Sequence, residues 1–119
     1  MTDCLTTHVL DLSCGKPAHG VEIELWKINA SGSFQFIEKA ITNEDGRVDQ
    51  PLLCGIDMKA GCYELRFFIG NYYRKQGHKM EEPVFLDCVP VRFGISHSIS
   101  HYHVPLLISP GGYSTYRGS

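Results

Sequence analysis

An all-β fold, two antiparallel sheets packed as a sandwich with one short helix, follows from three features of this 119-residue chain. Short runs alternate apolar and polar residues, as strands with one buried face do. Turn residues separate those runs at regular spacing. Only residues 71–76 carry helix-end signals, with Asn71 as a candidate N-cap and Gly77 just past the end. The length fits one domain over residues 1–119. A content of 43% hydrophobic and 20% charged residues supports a core and argues against disorder.

The first strand covers residues 5–12, rich in Leu and Thr, and ends at a Gly-Lys-Pro turn. Thr6, His8, Leu10 and Leu12 share one of its faces. Val21, Ile23 and Leu25 then alternate with Glu22, Glu24 and Trp26, and a short Gly-containing link joins them to residues 34–41. That pattern predicts a hairpin. Asn43-Glu44-Asp45-Gly46 is a turn that hands over to a short strand at residues 47–49. Residues 52–62 read as a loop. Tyr63, Leu65, Phe67 and Ile69 mark the next strand, and Val89, Val91, Phe93 and Ile95 another, with Pro90 hinting at an edge. A turn is expected over residues 96–100.

The chain closes with two strands around a Ser-Pro-Gly-Gly turn at residues 109–112. Tyr102, Val104, Leu106 and Ile108 form a core face, and His101 and His103 share the opposite one. If the last strand folds back across the turn, residues 116–119 return toward this histidine pair. Ser119 would then bring a hydroxyl, a backbone N–H and an α-carboxylate to it.

The net charge of -2 and the scattered Lys and Arg give no footprint for nucleic acid. No apolar run reaches membrane-spanning length, and the first residues lack a secretory pattern. The five cysteines are odd in number and none are in C-x-x-C spacing, so reduced thiols and a cytoplasmic setting are expected. A peroxisomal setting stays open, although no Ser-Lys-Leu end is present.

Two imidazoles two residues apart on a strand suggest chemistry. A zinc site needs three or four ligands. His8 or His97 would have to complete the set, no motif does so, and no metal is assigned. The competing readings are a surface or interface histidine for His101, a solvated turn arginine for Arg47 and a frayed end for residues 116–119.

Three blocks resemble the 5-hydroxyisourate hydrolases, the enzyme group of the transthyretin-like proteins. They are Leu5-Thr6-Thr7-His8-Val9-Leu10-Asp11, Asp45-Gly46-Arg47, and residues 101–119, which end in Tyr116-Arg117-Gly118-Ser119. The terminal tetrapeptide is the most specific, and the resemblance spans essentially the whole chain. The loops at residues 54–59 and 93–100 are not distinctive of the family.

The resemblance implies a transthyretin-type sandwich and a cyclic amide hydrolase without cofactor. The reaction would convert 5-hydroxyisourate to 2-oxo-4-hydroxy-4-carboxy-5-ureidoimidazoline in urate degradation, a branch of purine catabolism. It also implies a homotetramer with sites in a channel between dimers. His8, Arg47, His103 and Ser119 would be catalytic, and His8, Arg47, His101, Tyr116, Arg117 and Gly118 would bind substrate. Chemistry assigns His103 to activating water, His8 to a second proton-handling role and Arg47 to the ring and its developing charge; the order of the two histidines stays open. A thyroid-hormone carrier of the same fold is the rival, and its channel should be lined by apolar or neutral groups. A metal-binding interaction module would rest on the histidine pair alone.

Overall fold

The structure, a computed structural model, describes residues 3–97 and 100–119. Nine strands and one short helix follow in order: β1 (Cys4–Asp11), β2 (Lys16–Pro17), β3 (Glu22–Ile28), β4 (Phe34–Ile41), β5 (Leu53–Cys54), β6 (Gly61–Phe67), α1 (Ile69–Lys75), β7 (Val89–Ile95), β8 (Tyr102–Ser109) and β9 (Gly112–Thr115). One sheet runs β2-β1-β8-β9, with β5 also pairing with β1; the other runs β4-β3-β6-β7. β7 is an edge strand, as Pro90 suggested. Residues 98 and 99 of the expected turn at 96–100 lie outside the described residues.

Period-two alternation places the core. Ile23 and Leu25 of β3, Leu65 and Phe67 of β6, and Leu106 and Ile108 of β8 are all fully buried between the sheets, together with Leu5 and Val9 of β1. The opposite face of β1 and β8 carries Thr6, His8 and His103, each half-buried. The hairpin of β3 and β4 forms as predicted, with a bulge between Leu25 and Trp26.

Several expectations need correction. The sheet holding the histidines is not wholly antiparallel: β1 and β8 run parallel, Thr6 opposite His103. Parallel neighbours need a long crossover, and here the other sheet and α1 supply it. Residues 47–49 form no strand, since Arg47 makes only an isolated bridge to His8. The helix begins two residues before Asn71, with Phe68 at the N-cap position. Ile69 and Gly70 are drawn into the core, where Gly70 N–H donates to the Asp87 carbonyl at 3.0 Å, so packing overrides the capping preference.

The fourth correction concerns the thiols. Cys4 and Cys54 lie directly opposite each other in the β1–β5 register and form a disulfide, with their Cα atoms 4.2 Å apart. Fifty residues separate them in sequence, so no local spacing could signal the pair. β5 and a 3-10 turn at Gly55–Asp57 occupy the stretch read as a loop.

Asp11 ties β1 to the helix. Its carboxylate is 2% exposed and accepts from the Tyr72 and Tyr73 hydroxyls, each at 2.8 Å, and from the Ser13 N–H and hydroxyl at 2.9 and 2.6 Å. Burial pushes its pKa up, but these hydrogen bonds prevail and hold it below the ordinary carboxyl value. The stabilisation is therefore complete above that value and is lost as pH falls through the depressed one. Asp11→Ala, which strands two buried phenols, is expected to cost about 2 kcal/mol or more in a denaturant melt. A cost below about 0.5 kcal/mol, the range of an ordinary surface change, would contradict this role.

Candidate active site

The outward face of β1 and β8 receives its remaining parts from a turn and a tail. The Asn43–Arg47 turn is fixed from within: the Asn43 side-chain oxygen accepts from the N–H groups of Asp45 (2.9 Å) and Arg47 (3.2 Å), and Asn43 N–H donates to the Arg47 carbonyl at 2.7 Å. Gly46 has φ +74° and is pressed against β1, its carbonyl accepting from Val9 N–H at 2.8 Å. A Cβ there would collide with the Val9 carbonyl and stand 3.2 Å from the His8 ring. The turn so docked sets Arg47 beside His8.

The tail arrives through the β8–β9 hairpin. Leu106 pairs with Thr115, and in the same register His103 pairs with Gly118. The ladder lapses between these pairs because Pro105 has no N–H to give. It resumes with Gly118 N–H donating to the His103 carbonyl at 2.8 Å.

His8, Arg47, His101, His103, Tyr116, Gly118 and Ser119 consequently line one open pocket of about 360 Å³. Ser119 joins them although strict alternation places it on the other face with Arg117. Arg117, grouped with the substrate-binding residues on sequence, does not line the pocket. Its guanidinium lies over the Tyr102 ring, 4.2 Å from the centroid, at the open edge of the sandwich. There it holds the tail by a cation–π contact. The pocket also contains Thr6 and Pro105, which were not singled out on sequence. The signal for Thr6 was its place on the same strand face as His8.

The pocket disfavours the charged form of both central imidazoles. Burial, then the Arg47 charge, lowers the pKa of His8 against a smaller upward pull from Asp45. Burial lowers that of His103, followed by the charges of Arg47, His8 and His101. A neutral imidazole has a lone pair for taking a proton from water. Because the shift is downward, that form persists to lower pH than in a free histidine. The acid limb of kcat/KM should inflect below the ordinary imidazole value of 6.5, with activity falling as pH drops through it. An inflection above that value in a pH–rate profile would contradict the electrostatics described here. Among the described residues no three His, Cys, Asp or Glu side chains converge as a metal site.

A β-sandwich bearing paired neutral imidazoles and a guanidinium on the outer face of one sheet is a transthyretin-type fold with a polar, acid–base pocket. Comparison with known proteins gives the same class: the profile described as the HIUase/Transthyretin family matches residues 5–118. A 5-hydroxyisourate hydrolase of Halalkalibacterium halodurans is 55% identical over 119 residues, covering all of both chains. The structure of Klebsiella pneumoniae 5-hydroxyisourate hydrolase superposes with a TM-score of 0.81 at 32% identity, covering 98% of this chain and 99% of that one. Sea bream transthyretin in complex with thyroxine superposes with a TM-score of 0.85 at 28% identity, covering 96% and 93%. The chain belongs to the HIUase/Transthyretin family.

Proposed function

We propose that this chain hydrolyses 5-hydroxyisourate, opening its cyclic amide to 2-oxo-4-hydroxy-4-carboxy-5-ureidoimidazoline in urate degradation. The observation that carries this reading is the meeting of His8, His103 and Arg47 in one pocket, with both imidazoles biased toward neutrality. The relationship to the hydrolase of Halalkalibacterium halodurans supports it.

His103 takes a proton from water as the water's oxygen attacks the ring carbonyl. Arg47 offers a planar, permanently charged fork to the oxyanion that forms. The imidazolium of His103, or His8 beside it, then protonates the departing ring nitrogen, and the C–N bond breaks. Tyr116, Gly118, Ser119 and His101 line the rest of the pocket. No step calls for a cofactor.

Hydrolysis and carriage of a hormone are told apart by isotope. In water enriched in oxygen-18, the product carboxylate should carry one labelled oxygen. Saturable binding of thyroxine without labelled product would favour a carrier like transthyretin. The titratable groups lining this pocket argue against that alternative.

The assembly in this reading is a homotetramer. The pocket is open to solvent in one subunit, and water control needs a second surface over it. The edge strands β7 and β9 also leave backbone groups unpaired along one side of the sandwich, a template for pairing with another copy. Sedimentation velocity should give four times the chain mass, whereas a fully active monomer at assay concentration would refute the tetramer.

A further inference from the structure

Thr6 lines the pocket, directly opposite His103 in the β1–β8 ladder. Its hydroxyl oxygen lies 2.8 Å from His103 Nδ1 and 3.4 Å from His101 Nε2. A threonine hydroxyl has one proton to give and lone pairs to receive another, and a neutral imidazole has one donor and one acceptor nitrogen. Where Thr6 sends its proton therefore decides where His103 keeps its own. Sent to Nδ1, it would leave the proton of His103 on Nε2 and remove the lone pair from the pocket side. Sent to His101 Nε2, it leaves the hydroxyl oxygen free to accept Nδ1–H.

One observation favours the second arrangement. His101 Nε2, 3.4 Å from the hydroxyl, gives its proton a second destination when His101 carries its own proton on Nδ1. The other edge of the ring is also held, because Gly118 packs so tightly against it that a Cβ at that position would stand 2.5 Å from Cδ2. The imidazole is thus clamped, with one nitrogen engaged by Thr6.

We propose that Thr6 is the positioning residue that fixes His103 as its Nδ1–H tautomer. Its hydroxyl accepts Nδ1–H and donates to His101 Nε2, leaving the Nε2 lone pair of His103 for the attacking water. His101 then acts through Thr6. This inference rests on the reading of His103 as the base of the hydrolase.

Thr6→Val keeps the β-branched shape and removes only the hydroxyl. It is expected to lower kcat about tenfold or more with KM within about twofold, and Thr6→Ser should restore most of the rate. Nitrogen-15 NMR of the wild-type imidazole at neutral pH should show Nδ1 protonated and Nε2 bare. Wild-type kcat in Thr6→Val, failure of Thr6→Ser to recover, or a wild-type ring protonated on Nε2 would each overturn the proposal. The NMR measurement needs neither turnover nor a folded variant. Absence of hydrolysis by the wild type would sink the functional reading by itself, while the ring's protonation still decides the role of Thr6.

Discussion

His103→Asn should keep the fold and lower kcat by about a hundredfold or more, the usual scale for removing an acid–base group. The side chain is half-buried at the sheet surface, so its loss opens no core cavity. The strand pairing to Thr6 and Gly118 is made by backbone and survives the change. Asparagine can still hydrogen-bond to Thr6, but it has no nitrogen that takes up a proton near neutral pH. His101→Asn should cost less, because His101 is exposed at the border of the pocket and contacts the Thr6 hydroxyl. Initial rates beside thermal melts of both variants check this. A larger loss in His101→Asn would place the base on the wrong histidine.

Gly118→Ala should be nearly as damaging, at about a hundredfold in kcat, with little change in melting temperature. Gly118 has no unusual φ to preserve; what it provides is closeness. An added Cβ would stand 2.5 Å from His103 Cδ2 and 3.2 Å from Cγ. No real Cβ contact is so short, so either the tail lifts away or the ring turns. The tail is held at this point by the Gly118–His103 bridge and immediately before it by Arg117 over Tyr102, and the ring therefore gives way. A displacement of about an ångström at a reacting group costs on the order of a hundredfold. The fold should not notice, since the tail buries no core residue. Near wild-type turnover in Gly118→Ala would mean that the orientation of His103 is not what the rate depends on.

Much of this was legible in the sequence because period-two patterning is a strong local signal. The alternation in residues 102–108 separates Tyr102, Val104, Leu106 and Ile108, all buried, from the histidine face. The Ser-Pro-Gly-Gly turn at residues 109–112 added the condition under which the tail returns toward His103, that the last strand folds back across it, and the β8–β9 pairing meets that condition. What the sequence concealed is long-range. Nothing near Cys4 indicates Cys54 as its partner, and nothing in residues 5–12 indicates a parallel neighbour almost a hundred residues away. Arg117 illustrates a different limit. Alternation separated it from Tyr116 and Gly118, but the motif bound all of them into one functional group; the structure follows the alternation at Arg117 and departs from it at Ser119, which lines the pocket. Thr6 was passed over because threonine is an ordinary strand residue; only the 2.8 Å approach to His103 gives it a role.

The most direct test of the hydrolase reading is to generate 5-hydroxyisourate in place by oxidising urate and to follow its decay by absorbance, with and without this protein, chelator being present in both. A hydrolase working through His103 and Arg47 speeds the decay in proportion to protein concentration, and His103→Asn removes most of that acceleration. Decay at the buffer rate with the folded wild-type protein would contradict it.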